Sequence, residues 1–205
     1  MIQNNIHTIG VTGITGSGTS TVSAILEEIH GGFVISADKL AHEVILKGQP
    51  AYDQLLAIFG QDILQPNGEI DRKALGAKVF GNAEKLAVLE AVIHPQVIAK
   101  TQQLLAQAAA KGFPFAVIDA PLLIEAGMHN MCHTVWLVTA PDATRRERIM
   151  SRDGIDGETA GRRLQSRVGD DALLPHAHTV IENAGDLAGL RQMLMQMIER
   201  TLNPT

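Results

Sequence analysis

The densest chemistry in the sequence lies in nine residues near its start, Gly13-Ile14-Thr15-Gly16-Ser17-Gly18-Thr19-Ser20-Thr21. Glycines at 13, 16 and 18 let the backbone turn its N–H groups inward, and a helix starting just after them adds partial positive charge. Such a turn suits phosphate oxygens. In the pattern GxxxxGK[ST], the last Ser or Thr holds Mg²⁺ and the lysine reaches the β- and γ-phosphates of a nucleoside triphosphate. Gly13, Gly18 and Ser20 fit that pattern, and Thr19 stands in the lysine position. No Lys or Arg precedes Lys39, so no neighbour on the first strand or helix supplies the missing cation. Glycine-rich turns between a strand and a helix also occur without a ligand, and this segment alone leaves both readings open.

Two carboxylates fall where a phosphoryl-transfer site needs them. Asp38 follows the apolar run Phe33–Ile35 and Asp119 follows Ala116–Ile118. In a doubly wound sheet, ligands bind outside the carboxyl ends of the strands. One carboxylate there can orient or deprotonate an attacking hydroxyl, and another can sit near a metal. A helix cap or turn aspartate is the plainer reading of each alone; their joint placement with the loop favours the functional one. A cation source lies further on. Seven of the ten arginines (Arg145, Arg146, Arg148, Arg152, Arg162, Arg163 and Arg167) crowd into 23 residues that contain no lysine. Six acids nearby imply that several of them line a salt-bridged helix face. Arginine without lysine nevertheless favours forked recognition of phosphate. Arginines on a helical lid, with Arg167 as a further candidate, could stand in for the absent lysine.

The elements that must carry these residues are legible as alternating patterns. Residues 6–12, Phe33–Ile35, Ala116–Ile118, Thr134–Thr139 and Thr179–Ile181 read as strands apolar on both faces. Ser20–Ile29 reads as a helix with Val22, Ile25, Leu26 and Ile29 on one side. Strands alternating with helices make a parallel sheet with crossover helices. Residues 41–113 hold helical patterns and no convincing strand, and residues 142–171 are helical and highly charged. A last helix, Asp186–Leu202, presents Leu187, Leu190, Leu194, Met197 and Ile198 as a core stripe.

Composition narrows the class further. A net charge of −5 argues against a nucleic-acid partner or a membrane-surface partner, and 3% aromatic residues are too few for base-stacking platforms. One cysteine, Cys132, excludes a disulfide scaffold and reads as a half-buried, inert thiol. Eight histidines are scattered, with only His129/His133 and His176/His178 close in sequence. No leader-like segment and no long apolar run is present, so a cytoplasmic protein is expected.

In order, and over nearly the whole chain, the segments VTGITGSGTSTV (11–22), ISADKLAHEV (35–44), FGQDILQPNGEIDRKAL (59–75), LEAVIHP (89–95), VIDAPLLIEAG (117–127), RIMSRDGI (148–155) and VIENAGDL (180–187) resemble the dephospho-CoA kinase family. The resemblance implies an α/β fold of P-loop NTPase type, a parallel five-stranded sheet flanked by helices. It implies one kinase domain over 1–205, with a helical CoA-substrate insertion at 41–113 and a lid at 142–171. The implied activity is phosphorylation of the ribose 3′-hydroxyl of dephospho-CoA by ATP with Mg²⁺, in a monomer or small homo-oligomer. Asp38 would be the catalytic base. Arg148 and Arg152 would be catalytic lid arginines. Gly13, Gly16, Ser17, Gly18, Thr19, Ser20 and Thr21 would hold ATP, with Ser20 on the metal. Asn183 would lie near adenine, and Asp71, Arg72, His94, Asp119 and Glu125 would face the acceptor. The sequence departs from the family pattern at Thr19, at Ile14 (a second glycine), at Ser36 (a first Asp before Asp38) and at His42 (an arginine). Two alternatives stay open: a silent or weak paralogue that binds CoA or nucleotide as a sensor, which Thr19 and Ser36 favour, and a kinase for another nucleotide-like acceptor, since residues 41–113 are only moderately rich in motifs.

Overall fold

The structure is a computed structural model and describes residues 6–165 and 170–202. The chain forms two compact units, one of the described residues up to Ser36 and from Leu105 onward, the other spanning Ala37–Leu104.

The first unit is built on five parallel strands, β1 (His7–Thr12), β2 (Phe33–Ser36), β3 (Phe115–Asp119), β4 (Thr134–Thr139) and β5 (Thr179–Glu182), in the spatial order β2-β3-β1-β4-β5. β1 lies at the centre, paired with β3 through Ile9↔Val117 and with β4 through Val11↔Trp136. The chain moves to one side of β1 for β2 and β3, then to the other for β4 and β5. The carboxyl end of β1 is therefore the switch point of the sheet, where such folds bind ligands. α1 (Thr19–His30) packs Val22, Ile25 and Leu26 onto Val11, Phe115, Val117 and Trp136. The last helix, Leu187–Leu202, adds Leu190, Leu194 and Ile198 to the same core. The expectation that every strand is apolar on both faces fails at β5. Only Ile181 is buried there and Val180 is 48% exposed, because an edge strand has a helix layer over one face alone.

Close approach explains Gly10, in the middle of β1. A Cβ there would lie 2.7 Å from Leu123 Cδ2 and 2.8 Å from Cys132 Sγ. Cys132 is buried rather than half-buried, and burial pushes its thiol pKa up to about 12.

At the amino end of the sheet, two histidines extend the strand ladder. The His133 N–H donates to the Thr8 carbonyl (2.8 Å) and its Nδ1 accepts from the Thr8 N–H (3.0 Å). His178 repeats the arrangement one strand over. Its N–H donates to the Val135 carbonyl (2.9 Å) and its Nδ1 accepts from the Val135 N–H (3.0 Å). Ring contacts pair His7 with His133 (4.9 Å between centroids, stacked) and His129 with His176 (5.7 Å). These ring pairs join histidines far apart in the chain. His7 Nε2 is buried without a hydrogen-bond partner, and burial, with His133 alongside, holds its pKa below the usual histidine value.

The second unit holds α2 (Ala37–Glu43), α3 (Pro50–Phe59), a 3₁₀ turn at Gln61–Ile63, α4 (Arg72–Val79) and α5 (Ala83–Ala110) as far as Leu104. Ala51, Leu55, Phe59, Ile63, Ile70 and Leu75 are buried in it. The expectation of no strand here holds among the described residues, apart from one isolated antiparallel bridge, Leu64↔Ile70. The Tyr52 hydroxyl donates to the Gly68 carbonyl beside that bridge. Back in the first unit, α6 (Asp142–Asp153), α7 (Gly157–Gln165) and α8 (Asp170–Leu173) follow β4, and the last helix is α9. No helix among the described residues is long and apolar enough to cross a membrane.

Candidate active site

The glycine-rich segment leaves β1 and enters α1 as one tight loop. The Ser17 N–H donates to the Ile14 carbonyl (3.1 Å), closing the turn. Gly16 (φ +85°) and Gly18 (φ +95°) take the left-handed backbone that side chains disfavour. Space restricts the glycines as well. A Cβ on Gly13 would lie 2.3 Å from the Val138 carbonyl, one on Gly16 2.9 Å from the Arg145 carbonyl, and one on Gly18 2.3 Å from Asn183 Nδ2. Thr19 turns its methyl back toward Gly13, with Cγ2 3.2 Å from where a Gly13 Cβ would be.

α1 begins without a side-chain cap and with no acid in its first turn. The positive end of its backbone is left without an internal anion or acceptor side chain. Ser17 Oγ is buried without a hydrogen-bond partner, as is Thr12 Oγ1 at the end of β1. An uncapped helix start, left-handed glycines and an orphaned hydroxyl together make a cradle that fits phosphate oxygens.

The back of this loop is held by α6 and by the segment after β5. Arg148 Nη1 donates to the Ser17 carbonyl (3.2 Å) and to the Gly16 carbonyl (3.4 Å). Its Nη2 donates to the Asn183 carbonyl (3.0 Å) and to Asn183 Oδ1 (3.5 Å). Asn183 is buried, and its Nδ2 donates to the Ser17 carbonyl (2.8 Å). The Arg145 guanidinium is buried and paired with Asp142, with Nε and Nη1 unpartnered. Arg152 points elsewhere. Its guanidinium binds the Asp153 carboxylate (2.7 and 3.0 Å), which Arg163 also holds, and these bonds push the Asp153 pKa down. Arg167 lies outside the described residues.

The remaining residues fall as follows. Asp119 is the last residue of β3 rather than the first after it, and is buried. Glu125 is exposed in the turn-rich stretch that follows. In the second unit Asp38 is exposed in the first turn of α2, with His42 one turn further along. Partial burial and the Arg72 charge push the His42 pKa below the usual histidine value, while Asp38 opposes them. Asp38, His42 and Arg72 are therefore electrostatic neighbours. Asp71 caps α4, accepting from the Lys73 N–H (2.8 Å) and the Ala74 N–H (3.2 Å) through Oδ1. That explains its position by helix capping alone. His94 is half-buried on α5, just before Pro95 within the helix.

The structure thus joins the loop, Arg148 and Asn183 in one unit, and Asp38 and Arg72 in the other. The grip of Arg148 and Asn183 on the loop carbonyls was not legible in the sequence. The resemblance marks both residues, Arg148 in RIMSRDGI and Asn183 in VIENAGDL, but not their contact with the loop. Among the described residues no group of three or more His, Cys, Asp or Glu could cage a metal ion. The hard oxygen donors at hand suit an ion shared with phosphates and water.

Comparison with known proteins covers almost the whole chain. The sequence model of the family described as dephospho-CoA kinase matches residues 7–189. A Carboxydothermus hydrogenoformans protein named dephospho-CoA kinase is 35% identical over 192 residues, 94% of this chain and 93% of its own length. The crystal structure of a Thermus thermophilus protein superposes with a TM-score of 0.80 at 32% identity, covering 95% of this chain and 97% of the other. Dephospho-CoA kinase from Campylobacter jejuni follows with a TM-score of 0.63 at 28% identity, covering 97% and 98%. Glycine loop, parallel sheet and full-length similarity agree, and the chain belongs to the dephospho-CoA kinase family.

Proposed function

We propose that this protein transfers the γ-phosphoryl group of ATP to the ribose 3′-hydroxyl of dephospho-CoA, giving CoA and ADP. The observation that carries the proposal is the uncapped glycine loop at the carboxyl end of β1, within a chain whose residues 7–189 match the family model. The loop and the start of α1, from Gly13 through Gly16, Ser17, Gly18, Thr19, Ser20 and Thr21, bind the phosphates through main-chain N–H groups. Ser20 would hold Mg²⁺, which would offset negative charge on the phosphates. Asp38 accepts the 3′-hydroxyl proton as that oxygen attacks phosphorus and ADP departs. Its exposed place at the start of α2 leaves the carboxylate accessible to a hydroxyl.

Asp71, Arg72, His94, Asp119 and Glu125 serve the acceptor, within a substrate-covering insertion at 41–113 and around the end of β3. Arg72 brings the positive charge suited to a phosphorylated acceptor. Arg152, on the 142–171 lid, must exchange its Asp153 partner for phosphate before it can offset charge in transfer. Asn183 lies at the adenine side of the loop. The protein works in the cytoplasm on small molecules, as a monomer or small homo-oligomer. Its net charge of −5 supports the absence of a nucleic-acid partner.

The test follows CoA by mass spectrometry with Mg·ATP and dephospho-CoA. Product is expected, and Asp38→Asn should lower turnover about 10²–10⁴-fold with little loss of binding. Full turnover in that variant removes Asp38 from the base role. Binding of both ligands without product by the native chain assigns it as a sensor, and product only from another acceptor assigns a different kinase.

A further inference from the structure

We propose that Arg148, together with Asn183, is a positioning residue for the phosphate loop, supplying from behind, through the Ser17–Gly18 peptide, part of the positive potential that Thr19 does not bring from the front. The inference deepens the reading above, since it takes the loop to be a phosphate site.

The Ser17 carbonyl is the centre of the arrangement. It accepts from Arg148 Nη1 (3.2 Å) and from Asn183 Nδ2 (2.8 Å), so two donors grip one oxygen. The Ser17 carbonyl and the Gly18 N–H belong to one planar trans peptide and point in opposite directions. A carbonyl held outward by a guanidinium therefore turns the Gly18 N–H toward the inside of the loop. Each strong bond to the carbonyl also draws electron density from the N–H on the far side and strengthens it as a donor. Arg148 adds a longer bond to the Gly16 carbonyl, whose peptide partner, the Ser17 N–H, closes the turn on Ile14.

Three further features agree with a fixed support rather than a residue waiting for closure. Arg148 is anchored at its other nitrogen by the Asn183 carbonyl (3.0 Å), which leaves it little freedom to swing. Asn183 crowds Gly18 so closely that no side chain fits there. The Arg145 backbone lies against Gly16, so α6 meets the loop through main chain as well as through Arg148. No Lys or Arg occurs in the chain before Lys39, while Arg148 brings a full charge within hydrogen-bond distance of the loop backbone.

The experiment measures equilibrium binding of inorganic tripolyphosphate and of adenosine to the full chain by calorimetry, with no turnover required. Failure of the kinase reading would therefore not hide the result. Arg148→Gln is expected to weaken tripolyphosphate about tenfold or more, the scale of a lost charged hydrogen bond, and to leave adenosine unchanged. Asn183→Ala, which removes only a neutral bond to the same carbonyl, should weaken tripolyphosphate by a smaller factor, about threefold. Thr19→Lys should restore more affinity to Arg148→Gln than it adds to the native chain, because the two charges serve one loop. In ¹⁵N-resolved spectra the Gly18 amide proton should move upfield in Arg148→Gln, a shift that a merely structural support would not produce.

A folded Arg148→Gln protein with native tripolyphosphate affinity overturns the proposal. So does an Asn183→Ala protein with native affinity beside a weakened Arg148→Gln, since Arg148 would then act on phosphate directly. Equal gains from Thr19→Lys in both backgrounds also overturn it. If Arg148→Gln does not fold, Arg148→Lys takes its place: one charge without the fork should retain binding only in part, and full retention argues against the two-carbonyl grip.

Discussion

At the amino end of the sheet, His133 and His178 each close a two-bond ring with the neighbouring strand and leave the Thr8 and Val135 amides satisfied. At the carboxyl end the same sheet leaves an uncapped helix start, a buried Ser17 hydroxyl without a partner, and a loop whose carbonyls, not its amides, are gripped by Arg148 and Asn183. The contrast separates stability from function along one axis. Where polar groups are completed by the fold, they hold strands in register. His7 Nε2 is also left open at the amino end, so what sets the carboxyl end apart is an unpartnered hydroxyl beside an uncapped helix start.

The largest expected effect is at the open end. Gly18→Ala forces a side chain into left-handed backbone and into Asn183, and displaces the loop by a fraction of an ångström or more. A misplacement near 1 Å costs roughly 10²-fold in rate. Turnover measured with Mg·ATP and dephospho-CoA should fall by that order. A variant retaining half its activity would show that the loop tolerates what its geometry forbids.

The closed end should respond in the opposite currency. His133→Ala and His178→Ala each leave one strand amide without its acceptor, costing about 1–3 kcal/mol in urea unfolding. Turnover of the folded fraction should stay native. A loss of turnover without a loss of stability would break the division between the two ends.

The smallest effect is a pH slope. His7 has its pKa lowered in the folded protein, so on acidification the unfolded chain takes up its proton first. Stability from this group is complete above the ordinary histidine pKa of about 6.5, and declines as pH falls from there toward the lowered folded value. Melting temperature should drop over that range, and His7→Phe should flatten the slope. An unchanged slope would assign it to other groups.

The sheet was legible because its strands are short apolar runs of β-branched residues set between helical periods. Thr134–Thr139 matches the observed β4 residue for residue, α1 extends the expected helix by one residue at each end, and α9 starts one residue later than expected. The loop was legible because glycine at 13, 16 and 18 has few other uses. What stayed hidden depends on contacts between distant residues. Nothing in the spacing of His7, His133 and His178 says that three strands begin side by side, and closeness in sequence pointed to His129/His133 instead. Asn183 and Arg148 are 35 residues apart and meet only because β4 and β5 are neighbours. Asp71 shows the converse. Its place in a recognisable pattern drew attention to chemistry, while its carboxylate also performs the ordinary work of starting α4.

Gly10 and Cys132 have a consequence of a different kind. CoA and its precursor end in a free thiol, and an accessible cysteine on an enzyme that handles them would be drawn into mixed disulfides whenever the surroundings turned oxidising. The sequence contains one cysteine, and the missing side chain of Gly10 makes the space that buries it, as a thiol rather than a reactive thiolate. A glycine in the central strand thereby places the one thiol of the chain away from the surface. It also leaves the surface free for a single introduced cysteine to carry a reporter without competition.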